Sequence, residues 1–210
     1  PLATNLDGFI AYQQKEAWTW EHMALTRGRV IASTTPEFKQ KIVDSICGTL
    51  VQTRDLTKLA DDVRTMRARI EKEKGTKDVW DLKQVAGGLV DIEFLAQFLQ
   101  LAHAQENPEI LAQSTEQALE LARDAGFLTL GDAGLLLEAL RLYHRLTQVL
   151  RLALSGKFVP AEAPRGVLDL LVQASGSPTF TRLEAELADL QVKVRETFVR
   201  LIGEVETVNT

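Results

Sequence analysis

The sequence predicts an all-α fold: an antiparallel helical bundle of about eight helices with no β-sheet. Apolar residues recur at helical spacing along almost the whole chain, and no run alternates apolar and polar residues as a half-buried strand would. The connections between helical segments are short and carry the Pro, Gly, Ser and Thr residues that begin and end helices. We therefore expect the 210 residues to form a single helical domain.

The first predicted helix runs from Leu6 to Ala32 as one long element. Thr4 or Asn5 provides the cap at its start. Trp18 and Trp20 lie about 200° apart around such a helix, so both can be buried only if it is covered on two sides. We therefore expect this helix to lie centrally in the fold.

The second predicted helix begins at Thr35-Pro36, which supplies a cap and a proline in the first turn, and the third opens at Asp55. The apolar residues of the third helix form a narrow stripe: Leu56, Leu59, Val63, Met66 and Ile70. Residues 54–74 contain seven basic and five acidic residues. We interpret them as mainly a solvated helix face rather than a phosphate-binding patch.

An irregular segment is predicted between Gly75 and Gly88, where glycines bracket the sequence Val79-Trp80-Asp81-Leu82-Lys83. Helices are then predicted over residues 89–105, 115–125, 135–154 and 166–174. A last helix begins at Ser177-Pro178 and continues to about residue 206. Gly126 is in the position of a C-terminal helix cap.

Composition restricts the class of protein. With 24 Lys and Arg against 29 Asp and Glu, the net charge of −5 argues against a general nucleic-acid partner, whose binding requires clustered positive charge. No window approaches the roughly 18 uninterrupted apolar residues of a membrane span, and no signal-peptide pattern is present. A single cysteine, Cys47, can form neither an internal disulfide nor a zinc site of paired thiolates. We expect a cytoplasmic protein with no nucleic-acid or membrane partner.

Two segments carry residues suited to chemistry, and the first is residues 16–29 of the opening helix. Arg27 shares an otherwise apolar face with Met23, whereas Arg29 follows Glu21 by eight residues on another side. A guanidinium can bind two phosphate oxygens at once, which is the functional interpretation of these arginines. The alternative is structural: Arg27 pairs with a buried carboxylate, and Arg29 with Glu21 or solvent.

The second segment is the start of the helix that follows Gly87-Gly88. A glycine pair before a helix can present its amides to an anion, whereas Asp91 in the first turn complements the helix dipole. A phosphate here would be repelled by Asp91 unless Lys83 or a metal ion stood between them. Glu93 begins a polar stripe that is either exposed or faces a cleft.

Other chemistries lack their motifs. The three histidines, His22, His103 and His144, lie far apart and do not have H-E-x-x-H spacing. No serine-hydrolase, Walker or dinucleotide-binding motif occurs. We therefore predict neither catalytic nor metal-binding residues within this chain.

At the two segments above, the sequence resembles the glutamine synthetase adenylyltransferases of bacteria, also called glutamate–ammonia ligase adenylyltransferases. The matching residues are Tyr12-Gln13, Ala17-Trp18-Thr19-Trp20-Glu21-His22, Thr26-Arg27-Gly28-Arg29, Asp81-Leu82-Lys83, Gly87-Gly88-Leu89-Val90-Asp91-Ile92-Glu93-Phe94 and Gln97. They assign residues 1–105 as the family-matching core, whereas residues 106–210, the distal helices, match only in helical character and position.

The resemblance implies an enzyme built from two nucleotidyltransferase halves, one attaching AMP to a tyrosine of glutamine synthetase and the other removing it. Each half would have a catalytic domain, whose paired aspartates hold magnesium, followed by a helical domain such as this one. The tryptophan-rich helix and Val90 resemble the C-terminal, adenylylating half. Because the chain begins with Pro1, we expect the catalytic domain upstream of it.

The resemblance also implies cofactors and partners. ATP and magnesium are expected for the whole enzyme, and neither is expected to bind this fragment alone, which should be inactive. The expected partners are the upstream catalytic domain, glutamine synthetase and, as an open alternative, a nitrogen-regulatory signal protein. We place Arg27, Arg29 and Lys83 as candidates that face the nucleotide cleft. The supporting residues are Glu21, Gly87, Gly88, Asp91 and Glu93, with Asp91 and Glu93 expected to orient the cations.

Two other interpretations stay open. In one, the chain is a helical protein-interaction or regulatory module without nucleotide contact, and the Gly87-Gly88 region packs into the bundle interior. In the other, it is the helical domain of a related protein uridylyltransferase. That family should show a downstream hydrolase motif with clustered His and Asp, and this sequence does not have one.

Overall fold

The structure is a computed structural model that describes residues 4–154 and 156–205. Within these residues it contains nine α-helices, two short 3-10 helices and no β-strand, which confirms the predicted all-α class. The α-helices are α1 (Leu6–Lys15), α2 (Thr19–Leu25), α3 (Pro36–Leu50), α4 (Leu56–Lys74), α5 (Leu89–His103), α6 (Thr115–Asp124), α7 (Leu130–Ala153), α8 (Arg165–Ser175) and α9 (Phe180–Ile202). Among the described residues, no helix combines the length and apolar character that crossing a membrane requires.

The prediction of one continuous helix over residues 6–32 was wrong. The chain leaves α1 after Lys15 and starts α2 at Thr19, and residues 28–32 are not helical. The carboxylate of Glu21 accepts a hydrogen bond from the backbone amide of Trp18 at 2.8 Å, and so caps the start of α2. The Tyr12 hydroxyl donates to the same carboxylate at 2.6 Å, which fixes the end of α1 beside it.

Several predicted helix boundaries are confirmed by their hydrogen bonds. The Asn5 side chain accepts from the amide of Gly8 at 2.7 Å and caps α1. Thr35 accepts from the amide of Phe38 at 3.1 Å and caps α3, whose first residue is a proline. Gly126 follows α6 with a φ of 80°, in the left-handed region that a helix C-terminal glycine adopts.

The helices form two compact units. One unit contains the residues up to Met66 together with Glu93–Thr129, and the other contains Arg67–Ile92 together with the residues from Leu130 onward. In the first unit, α1 and α2 both pack against α3. In the second unit, α7, α8 and α9 pack against one another in pairs. The residues that form the core of the second unit include Leu136, Tyr143, Leu171, Leu183, Leu187, Val194 and Phe198.

Candidate functional site

The Gly87-Gly88 pair at the start of α5 lies in the interior of the second unit. Gly87 has a φ of +77°, in the left-handed region that favours glycine. A Cβ atom at Gly87 would lie 1.8 Å from the carbonyl oxygen of Gln191 in α9. A side chain is therefore excluded twice, by backbone conformation and by the close approach of another helix.

The polar backbone groups of the glycine pair bond to other groups of the second unit. The Gly87 amide donates to the carboxylate of Asp91 at 2.6 Å, and the Gly87 carbonyl accepts from the Tyr143 hydroxyl at 3.1 Å. The Gly88 amide donates to the carbonyl of Val85 at 2.9 Å. Both amides therefore already have hydrogen-bond acceptors inside the fold, so the pair does not act as an anion-binding helix start.

Asp91 is fully buried and binds two arginines that the sequence analysis did not single out. Its carboxylate accepts from the Nε of Arg67, which is also fully buried, and lies 3.2 Å from the guanidinium of Arg195. The expectation that Asp91 orients Arg27, Arg29 or Lys83 was therefore wrong. A buried carboxylate needs charged partners within reach, and Arg67 and Arg195 fill that requirement.

Glu71 completes a cluster of two arginines and two carboxylates. Its carboxylate lies 3.2 Å from the guanidinium of Arg67 and 3.2 Å from that of Arg195. The charges cancel within the cluster, which is what makes burial of Arg67 and Asp91 tolerable. Burial, and secondarily the Asp91 carboxylate, raise the pKa of Tyr143, so the phenol stays protonated and able to donate to Gly87.

The tryptophans of the first unit are exposed, so the expectation that their helix lies centrally, covered on two sides, was wrong. Trp18 is 70% exposed and Trp20 is 47% exposed. Trp18 is the cap residue of α2 rather than a residue within a long helix, so it is not directed into a core by helical periodicity. The buried residues of this short helix are instead His22 and Met23.

The candidate arginines also lie in the first unit. Arg27 pairs with Glu93 at 3.0 Å, and both side chains are partly exposed. This is the pairing expected for Glu93, although a role of either residue toward nucleotide stays a prediction. Arg29 is exposed and forms no ion pair with any described residue. Glu21 caps α2 and does not pair with Arg29.

Lys83, the third candidate cation, lies in the second unit. It is exposed and lines a recess of about 550 Å³ together with residues of the C-terminal part of α7 and of the segment 156–158. The recess is therefore assembled from three stretches of chain. Its wall includes the buried rings of Trp80 and Phe158, whose centroids lie 4.8 Å apart.

His22 is held in a neutral, structural role in the first unit. Its Nε2 donates to the carbonyl of Gln13 across 2.9 Å, and its Nδ1 accepts from the Arg54 guanidinium across 3.0 Å. Burial is the main cause that lowers its pKa, and the Arg54 charge acts in the same direction. Across residues 4–154 and 156–205, no three His, Cys, Asp or Glu side chains are grouped so that they could hold a metal ion.

The residues missed by the sequence analysis had one detectable signal. Arg67 lies four residues after Val63 and three before Ile70, on the apolar stripe of α4, and an arginine on such a stripe is expected to be buried and paired. Its partners could not be found in the same way. Asp91 is 24 residues from Arg67, and Arg195 is 104 residues from Asp91.

Family models place both segments within one class of enzyme. The model described as glutamate-ammonia ligase adenylyltransferase matches residues 1–45, which contain Trp18, Trp20 and Arg27. The model described as GlnD PII-uridylyltransferase matches residues 63–159, which contain the buried glycine pair. Both descriptions name nucleotidyl-transferring enzymes, so the chain is of the class of helical segments found in nucleotidyltransferases.

Individual relatives narrow this class to one family. Bifunctional glutamine synthetase adenylyltransferase/adenylyl-removing enzymes of Rhodopseudomonas palustris (strain BisB5) and Xanthobacter autotrophicus (strain ATCC BAA-1158 / Py2) are each 52% identical to the chain, over 97% and 96% of its length. The enzyme of Bradyrhizobium sp. (strain BTAi1 / ATCC BAA-1182) is 50% identical over 97%. The chain belongs, as a segment, to the family of these bifunctional enzymes.

The chain spans about one fifth of the length of the curated relatives it matches. The similarity also continues well past residue 105 into the distal helices, because the aligned region covers about 203 of the 210 residues.

Proposed function

We propose that this chain is the accessory helical domain of a cytoplasmic enzyme that transfers AMP from ATP to a tyrosine of glutamine synthetase, and so regulates nitrogen assimilation. This proposal rests mainly on sequence identity: the chain is 52% identical, over nearly its whole length, to segments of the bifunctional enzymes. The tryptophan-rich segment favours the adenylylating half. In this proposal, the chemistry of ATP and magnesium belongs to a catalytic domain elsewhere in the polypeptide.

The exposed tryptophans support a docking role for the first unit. Trp18 and Trp20 flank the start of α2, and Tyr12 is 38% exposed and linked to the same start through Glu21. Large exposed aromatic side chains are typical of interfaces, where each can bury roughly 150–250 Å² of surface. The occupant we propose is the catalytic domain of the same polypeptide, because about four fifths of each relative lies outside the matched segment.

Arg27 and Arg29 would then lie at the edge of this interface. Glu93 holds one end of the Arg27 guanidinium at 3.0 Å, which orients a side chain that is otherwise half exposed. A guanidinium held in this way is preorganised to bind phosphate oxygens of a nucleotide, because less side-chain entropy is lost on binding. Arg29 follows two residues later and is exposed.

The experiment uses the full-length enzyme with the double substitution Trp18→Ser and Trp20→Ser. We expect the rate of glutamine synthetase adenylylation to fall by about 10-fold or more, since loss of interface aromatic side chains commonly costs 2 kcal/mol or more. Leu130→Ser provides the control, because Leu130 is 80% exposed and lies in the other unit. Unchanged adenylylation in the double variant would contradict the docking role.

The arginine assignment needs its own measurement. Arg27→Ala should raise the KM for ATP while the folded state is unchanged, since Arg27 pairs with Glu93 only at a partly exposed site. A KM and kcat equal to those of the parent enzyme would show that Arg27 does not contact the nucleotide. The same assay applied to Lys83→Ala tests whether Lys83 does.

A second candidate function is favoured by the buried glycine pair. If the Gly87-Gly88 helix start serves only packing, the chain could be a protein-binding or regulatory module that never touches nucleotide. Hydrogen exchange of the full-length enzyme distinguishes the two. The first proposal predicts slower exchange around residues 25–30 when ATP is added, whereas the second predicts protection by glutamine synthetase or a nitrogen-regulatory signal protein and none by ATP.

A further inference from the structure

We propose that Lys83, Arg151 and Lys157 form one binding site for a polyphosphate group in the recess of the second unit. The recess has a volume of about 550 Å³. This proposal goes beyond the proposed function, on which it rests only for the class of ligand, a diphosphate or triphosphate group. The recess itself and its charges are independent of that identity.

The three cations reach the recess from different stretches of chain. Lys83 comes from the loop before α5, Arg151 from the last turn of α7, and Lys157 from the segment that follows α7. Positive side chains that converge from separate elements create a concave positive surface, which a row of lysines on one helix does not. The volume lies within the range of small-molecule sites, roughly 300–1,000 Å³.

The wall behind these cations is firmly packed. Trp80 stacks on Phe180 with ring centroids 5.3 Å apart, and its Nε1 donates to Glu184 at 2.9 Å. Leu82 and Phe158 are also buried beside it. An apolar wall of this kind lowers the local dielectric and strengthens the attraction between the cations and an incoming anion.

The carboxylates of the recess are already engaged. Asp78 accepts from the Trp80 amide at 3.0 Å and pairs with Lys157 at 3.1 Å, while Asp81 accepts from the Gln84 amide at 3.1 Å. Lys83 and Arg151 form no ion pair with any residue in the described part of the chain. Asp81 keeps its negative charge, so the recess holds three cations against two carboxylates, a local excess of one positive charge in a chain whose net charge is −5.

A multiply charged, compact anion matches this arrangement better than a single carboxylate. A diphosphate offers oxygens in several directions, so that a planar guanidinium can bind two of them while lysines approach the others as point charges. Three cations set around one recess suit that geometry. An acidic peptide needs an extended surface and is the competing ligand that the experiment must exclude.

The test measures binding of inorganic pyrophosphate and of ATP to the full-length enzyme by titration calorimetry. Lys83→Ala, Arg151→Ala and Lys157→Ala should each weaken pyrophosphate binding by roughly 10-fold or more, as expected when one hydrogen bond to a charged group is lost. Lys77→Ala and Arg69→Ala are the matched controls, since both are exposed cations of the second unit outside the recess. They remove the same charge and should leave the affinity unchanged.

Each outcome decides the proposal. Equal affinity in the three recess variants and the parent, or an equal loss in recess and control variants, would overturn it. Orthophosphate binding as tight as that of pyrophosphate, or displacement of pyrophosphate by an acidic peptide alone, would also overturn the assignment to polyphosphate.

The proposed function is tested separately. If pyrophosphate binding depends on the recess but the parent enzyme does not transfer AMP to glutamine synthetase, the polyphosphate site stands and the proposed function fails. If the parent enzyme transfers AMP while the recess variants bind pyrophosphate and ATP normally, the proposed function stands and this inference fails.

Discussion

The start of α2 in the first unit and the start of α5 in the second unit carry similarly specific motifs but use them in opposite ways. The first leaves Trp18 and Trp20 on the surface, whereas the second places Gly87 and Asp91 in the interior. Both segments fall within regions that match families of nucleotidyl-transferring enzymes. A family-specific motif therefore identifies a protein without indicating which of its residues are available to a ligand.

The same contrast holds for the two arginine–carboxylate pairs. Arg27 and Glu93 are partly exposed, so their attraction is screened and contributes about 0–1 kcal/mol. Arg67 and Asp91 are fully buried, so removal of one partner leaves an uncompensated charge at a cost of about 3–5 kcal/mol. The exposed pair is free to serve binding, and the buried pair serves folding.

Asp91→Asn should produce the largest effect. The substitution keeps the shape but removes the charge that Arg67 and Arg195 share. We expect the free energy of local opening around Gly87 to fall by about 3 kcal/mol, measured by native-state hydrogen exchange of residues 85–95 in the full-length enzyme. Asp169→Asn changes an exposed aspartate of the same unit and is the control. A loss below about 1 kcal/mol for Asp91→Asn would show that the cluster does not anchor this loop.

Gly87→Ala and Gly176→Ala should differ although both glycines have a φ of +77°. Both substitutions place an alanine in the left-handed region, at a cost of about 1–2 kcal/mol. Only at Gly87 would the added Cβ lie 1.8 Å from the Gln191 carbonyl oxygen, whereas a Cβ at Gly176 meets nothing within 4 Å. We expect Gly87→Ala to be more destabilising by about 1–3 kcal/mol in the same exchange experiment. Equal losses would mean that the close approach of α9 adjusts without cost.

His22 should give the first unit a smaller, pH-dependent loss of stability. Because burial lowers its pKa below the unfolded value of about 6.5, the folded state resists protonation. Stability is then fully present above about pH 6.5 and is lost as the pH falls through the folded pKa. His22→Gln should weaken this pH dependence of stability. The measurement is urea unfolding at about pH 7.5 and about pH 5.5, with the unfolding of α1–α3 followed by pulsed hydrogen exchange. His144→Gln alters an exposed histidine, and an equal change in that variant would exclude His22 as the cause.

Local signals allowed much of the fold to be predicted. The caps at Asn5 and Thr35 and the left-handed Gly126 each depend on neighbours within a few residues, and all three were found from the sequence. The break after Lys15 was missed because Glu21 fits a continuous helix as well as it fits a cap. Local patterns alone could not distinguish these two uses of one residue.

The site was less predictable because its contacts are long-range. The stripe of α4 marks Arg67 as a residue to be buried, but it does not identify a partner 24 residues away. Lys83 was singled out by its motif, whereas Arg151 and Lys157 joined it only once the chain was folded. Spacing in the sequence therefore identified candidate residues, but only the tertiary structure showed which residues lie beside them.

The unequal burial of the three tryptophans gives the protein two separate optical signals. Trp80 is only 6% exposed and is shielded by Phe158 and Phe180, whereas Trp18 and Trp20 face water. In the isolated chain, a water-soluble quencher such as iodide will quench the fluorescence of Trp18 and Trp20 and leave that of Trp80 nearly intact. Quenching thus separates events in the first unit from events beside the recess, without an added label.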